Sequence, residues 1–222
     1  MHKYILSLFM LFALGCEVHH IVLVDPPEPE VPGANVPVAM RQKNWASTQR
    51  DSAGQGSCAN ASTINVLQWH GEEKLAKYWR TRHMGGETSV SLTKSWTDEG
   101  VPYCTTFNPR TYECSGDPEF LEWVSDTRRA AVIWWLPSHA CSFHGFVIKD
   151  GREYAAVLDN NFPNEFSYQP KEKFLRDWRE KYGGFAITPV SPKMQPASPL
   201  PYPVVLPKKK NANTYDLWND ML

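Results

Sequence analysis

Gly54-Gln55-Gly56-Ser57-Cys58-Ala59-Asn60-Ala61-Ser62 carries a cysteine out of a glycine-flanked loop and into an apolar-periodic run. Ala61, Ile64 and Leu67 recur at steps of three, and Gly71 is placed to stop a helix. The spacing predicts a helix that opens at Cys58. Backbone N–H groups without intrahelical partners converge at such a start, together with the positive end of the helix dipole. Both favour the thiolate, which is the nucleophilic form of cysteine. Each unit by which a thiol pKa falls stabilises the anion by about 1.4 kcal/mol. The competing reading is a buried helix-start cysteine packed as a small apolar group.

At 222 residues the chain has room for one ordinary domain plus tails. Hydrophobic residues make up 42%, aromatic 13% and charged 21%, a globular balance. The formal net charge is -1, so no basic field argues for nucleic acid. Nine Trp and nine Tyr point to an aromatic-rich core or groove. The five cysteines are an odd number, so at least one stays out of any intramolecular disulfide.

Residues 1–15 stand apart from the fold. A short basic start, His2-Lys3, precedes an apolar run from Tyr4 to Leu14 that is too short to span a bilayer as a helix. The run ends Ala13-Leu14-Gly15-Cys16, which resembles the lipobox of bacterial lipoproteins with its first two positions exchanged. That resemblance implies an exported chain, lipidated on Cys16 and held on the periplasmic side of a bacterial membrane or at the cell surface. A plain secretory signal is the alternative. Residues 16–40 carry Pro26, Pro27, Pro29, Pro32 and Pro37 and read as a semi-rigid tether. His19 and His20 lack further ligands nearby and read as solvated. Residues 191–222, with repeated prolines and Lys208-Lys209-Lys210, read as a disordered tail.

The body between them, residues 41–190, changes period half-way. Helical patterns run over 72–82, 89–100 and 117–129, the last opened by Asp117 and Pro118. Then 130–136 reads as a buried strand. Residues 144–149 and 153–158 read as two strands joined at Asp150-Gly151. A helix over 170–182 and a strand over 185–188 follow. Helices first and an antiparallel sheet after make an α+β plan.

A cysteine nucleophile needs a base, and the base needs an orienting group. The hairpin turn lies near the midpoint between His144 and Asp159, so antiparallel pairing is expected to set His144 beside Asp159, or beside Asn160. His139 is the weaker base by this reading, because 140–142 does not read as strand. Trp134 and Trp135 point to opposite faces of their strand, one toward the core and one toward a cleft.

Cys58-Ala-Asn-Ala-Ser62, His144-Gly-Phe-Val-Ile148 and Val157-Leu-Asp-Asn160 together resemble the nucleophile helix, His strand and Asn/Asp strand of papain-like cysteine peptidases. The 86-residue interval from Cys58 to His144 is nearer to compact bacterial members, such as the bacteriocin-leader-processing peptidases. The resemblance implies a papain-like fold with its nucleophile helix against a small antiparallel sheet. It also implies a Cys58–His144–Asp159 triad with Asn160 as the alternative orienter, a peptide or protein substrate, and no metal or organic cofactor. It assigns a glutamine to the oxyanion, and here Gln55 or Gln49 would serve, both at unusual spacing from Cys58. A shifted register places Ala61 at the reactive position and describes a silent relative. A transglutaminase-like acyltransferase and a catalytically silent binding lipoprotein are the competing functions. Cys104 and Cys114 flank a turn at Asn108-Pro109 and are expected to form a disulfide in an oxidising compartment. Cys141 is expected to be structural, either free or paired with one of them.

Overall fold

A computed structural model describes residues 56–190 and 202–205. Three helices come first: α1 (Cys58–Trp69), α2 (Glu73–Arg82) and α3 (Ser89–Asp98). Short strands β1 (Tyr103–Thr105), β2 (Phe107–Asn108) and β3 (Glu113–Cys114) lead to α4 (Pro118–Asp126). Then come β4 (Ala131–Trp134), β5 (Ala140–Lys149), β6 (Arg152–Leu158), β7 (Ser167–Pro170), α5 (Lys171–Glu180) and β8 (Ala186–Pro189). Six strands form one antiparallel sheet in the order β1-β8-β4-β5-β6-β7, and β2 pairs with β3 separately. This is the expected α+β plan, with the Cys58 helix packed against the sheet.

Alternation along β4 builds the two cores. Val132 joins Leu67, Trp79 and Trp96 on the α1 face, whereas Ala131 and Ile133 join Phe120, Phe174 and Trp178 beneath α4 and α5. α1 is buried around almost its whole circumference, which demands partners for its polar residues. Asn60 accepts from Trp79 Nε1 at 3.0 Å, and the Thr63 hydroxyl donates to the Ala59 carbonyl at 2.9 Å. At the head of α4, Asp117 caps as expected, its carboxylate accepting from the Glu119 N–H at 3.0 Å.

The β5–β6 hairpin turns on two residues with left-handed backbone, Asp150 (φ 50) and Gly151 (φ 72). Lys149 therefore faces Arg152, and Ser142 faces Leu158. A bulge interrupts the ladder between Phe143 and Gly145. Gly145 takes φ +127 there, and a side chain at this position would meet Ser125 Oγ at 3.3 Å.

One sequence expectation is corrected. Cys104 and Cys114 do not form a disulfide, and all four cysteines among the described residues are free thiols. Cys104 sits on β1 in the core under α4, while Cys114 sits on β3 against the other core. The segment 202–205, within the expected disordered tail, lies on the body. Val205 and Tyr103 exchange backbone hydrogen bonds at 2.8 and 3.3 Å, and the Tyr202 hydroxyl donates to Asp117 at 3.2 Å. β1 is the terminal strand of the sheet, so this bridge covers an open edge. Residues 1–55, with the expected signal and tether, lie outside the described residues. No helix among the described residues is long and apolar enough to cross a membrane.

Candidate active site

The first turn of α1 is held from two sides. Ser57 does not cap its own helix; its hydroxyl accepts from the Gly85 N–H at 2.8 Å. Asn60 Nδ2 donates to the Gly85 carbonyl at 3.2 Å. On the sheet side, the fully buried Asn160 spreads its amide protons over the carbonyls of Cys58 (3.1 Å) and Ala140 (2.7 Å) and the hydroxyl of Ser62 (2.8 Å). Asn160 thus fastens the nucleophile turn to the start of β5.

His139 enters from a tight loop just before β5. Leu136 (φ 82) and Ser138 (φ 57) take left-handed backbone there, an uncommon state for residues other than glycine. The His139 N–H donates to the Leu136 carbonyl at 3.3 Å, and the Trp135 N–H donates to the His139 carbonyl at 3.1 Å. This turn presents the ring to both Cys58 and Asp159. His139 Nε2 lies 2.8 Å from Asp159 Oδ1, and the Cys58 thiol hydrogen-bonds the same ring. The Asn161 N–H steadies Asp159 Oδ1 from the far side at 2.8 Å.

Electrostatics follow from these contacts. Burial pushes the Cys58 thiol up, but hydrogen bonds from His139 and from the Ala140 and Ala59 backbone, with the charge on His139, bring it below its ordinary value. Burial opposes charge on His139, yet the hydrogen bonds to Asp159, Cys141 and Cys58 hold it well above an ordinary histidine. Burial likewise raises Asp159, and His139 and the Asn161 N–H bring it net below the usual carboxylate range. The three groups favour thiolate, imidazolium and carboxylate in a row.

The ring beside Asp159 is therefore that of His139 and not that of His144. A two-residue turn carries Asp159 past Leu158, whose partner is Ser142, two residues beyond His144. His144 instead lies buried between Trp69, at 4.3 Å between ring centroids, and Phe166, at 5.1 Å, with Nε2 3.0 Å from the Ser142 hydroxyl. Trp69 ends the helix that Cys58 begins. At 1.5 Å rise per residue, the Trp69 backbone lies roughly 16 Å along the helix axis from that of Cys58, and His144 packs on the Trp69 ring. Asn160, the alternative orienter, gives its amide protons to α1 and to the Ala140 carbonyl and not to the ring. Gln55, Gln49 and Cys16 lie outside the described residues.

Cys58 and His139 line an open cleft of about 520 Å³. The segment 86–89 lines it too, with Trp134, Leu136 and Tyr182. Trp134 Nε1 donates to the Ser89 hydroxyl at 2.8 Å, and its ring stacks on Phe185 at 4.7 Å. Trp134 faces this cleft and Trp135 the core, the division expected from strand alternation. Behind the loop, His139, Cys141 and Asp159 bring metal-ligand atoms within 4.8 Å of one another.

Neither a family model nor a curated protein matches the sequence. Among solved structures, the chain is similar to a double glycine motif protease from an AMS/PCAT transporter, determined in complex with the leader peptide. The match has 17% sequence identity and a TM-score of 0.39, and covers 72% of this chain and 100% of that one.

Proposed function

We propose that this protein is a papain-type cysteine hydrolase acting on peptide or amide bonds, with Cys58 as nucleophile, His139 as acid–base and Asp159 as the orienting carboxylate. The observation that supports this reading is the double contact of His139. One ring meets the Cys58 thiol and the Asp159 carboxylate, at the wall of an open cleft.

In this mechanism the Cys58 thiolate attacks the acyl carbon and forms a C–S bond. The tetrahedral adduct collapses, the C–N bond breaks, and the His139 imidazolium gives its proton to the leaving amine. Neutral His139 then takes a proton from water, which attacks the thioester and releases acid and thiolate. Asp159 keeps the ring aligned and stabilises its charged form. The reading assigns the oxyanion to the Cys58 backbone N–H together with the side chain of Gln55, or of Gln49.

Export and anchoring through Cys16 belong to the same proposal and rest on the segment 1–16. Incorporation of a labelled fatty acid, lost in Cys16→Ala, is the result expected of it.

The test of hydrolysis is thiol reactivity. At pH 6, iodoacetamide should alkylate Cys58 faster than a free thiol, and His139→Ala should abolish the advantage. A rate no faster than that of a free thiol would leave a silent binding protein as the better account.

A further inference from the structure

We propose that His139, Cys141 and Asp159 form a binding site for a thiophilic divalent cation of the zinc type, and that its occupation silences Cys58.

Geometry carries the site. The ligand atoms of the three side chains lie within 4.8 Å of one another. Two ligands of a tetrahedral zinc ion, at bond lengths of 2.0–2.3 Å, sit about 3.6 Å apart. An imidazole nitrogen, a thiolate and a carboxylate oxygen are the donor set that a borderline-soft ion of this kind prefers. Three protein ligands leave a fourth position for water.

The surroundings suit an ion. Asp159 Oδ1 accepts from the Asn161 N–H at 2.8 Å, an outer contact of the kind that fixes a ligating carboxylate. His139 opens on the catalytic cleft, and Asp159 opens on a second cavity of about 280 Å³ bounded by Lys173, Asp177 and Tyr182. Each cavity therefore reaches one ligand of the group, with Cys141 buried behind them.

Cys141 also lacks a part in the hydrolytic reading. It is fully buried among Cys104, Phe120 and Ile133 on the far face of the sheet, yet its thiol hydrogen-bonds His139. On binding, Cys141 loses its thiol proton and His139 its extra proton to solvent, and the ion takes their place. A metal-held ring can neither polarise the Cys58 thiol nor protonate a leaving amine. The silencing rests on the proposed function; the site itself does not.

The two are tested apart by titrating Co²⁺ into the full chain carrying Cys58→Ala. One equivalent should bind with a thiolate-to-cobalt charge-transfer band. Adding Cys141→Ser should remove the band and weaken binding at least tenfold. If that variant folds poorly, Asp159→Asn serves instead and should also weaken binding tenfold or more. Unchanged affinity in either variant overturns the site. This arm does not depend on whether Cys58 is a nucleophile. In the unmutated chain, saturating Zn²⁺ should block alkylation of Cys58, and Cys141→Ser should restore it. Alkylation that proceeds unchanged under zinc overturns the silencing.

Discussion

The side chain of Asn160 hydrogen-bonds the main-chain carbonyl of Cys58 at 3.1 Å, across 102 residues of sequence. The same amide reaches Ser62 and Ala140, so one residue ties the nucleophile turn to the strand behind His139. Asn160→Ala should lower folding stability by about 3 kcal/mol, since buried acceptors lose their donor. Urea denaturation measures this, and a loss under about 0.5 kcal/mol would deny Asn160 its fastening role.

The two histidines are distinguished by substitution. His139→Ala should slow peptide hydrolysis by about 10² to 10⁴, the range for a missing acid–base group. His144→Phe should keep the rate within a few fold, because its ring already packs with Trp69 and Phe166. Steady-state kinetics decides. Equal losses would reinstate His144 as a participant.

Stability should depend on pH through the same ring. His139 is raised above 6.5, so its contribution is complete below that pH and is lost as pH climbs through the folded value. Asp159 is lowered below 3.8, so its contribution is complete above that pH and is lost as pH falls through the folded value. The stability difference between the unmutated chain and His139→Gln should therefore peak between pH 3.8 and 6.5. It should narrow on either side. Denaturation across the pH range checks it, and a difference still growing above pH 8 contradicts the raised ring.

Leu136 holds a left-handed backbone at φ 82 in the loop that presents His139. Leu136→Gly should raise stability by about 1 kcal/mol by relieving that strain. The same change should slow Cys58 alkylation by loosening the ring. Faster alkylation in the more stable variant would mean the strained turn does not position His139.

Much of the fold was readable from sequence because its signals are local. The 3.6-residue spacing behind Cys58, the Asp117-Pro118 start and the Asp150-Gly151 turn each act within a few residues. β7 has no sequence signal, because Ser167-Tyr-Gln-Pro170 lacks apolar alternation and pairs at the sheet edge. The partner of Asp159 is hidden in the sequence for a different reason. A turn near the midpoint of His144 and Asp159 leaves the register open by two residues, whereas a two-residue turn fixes Lys149 opposite Arg152. Counting along the ladder from that pair passes His144 before it reaches Ser142 opposite Leu158, so Asp159 lies beyond Ser142, toward His139. The polar run Pro137-Ser-His139 also concealed that β5 begins at Ala140. The pairing of Cys104 with Cys114 failed because ten residues of separation say nothing about which core each thiol enters.

The short return of the chain at Val205 bears on how the protein can be produced. Trimming the C-terminal stretch before position 202 would strip Tyr103 of its backbone partner and bare the flank of the outermost strand. Such shortened forms would offer a template to neighbouring molecules, and self-association in solution would follow from the loss of a few residues remote from the thiol.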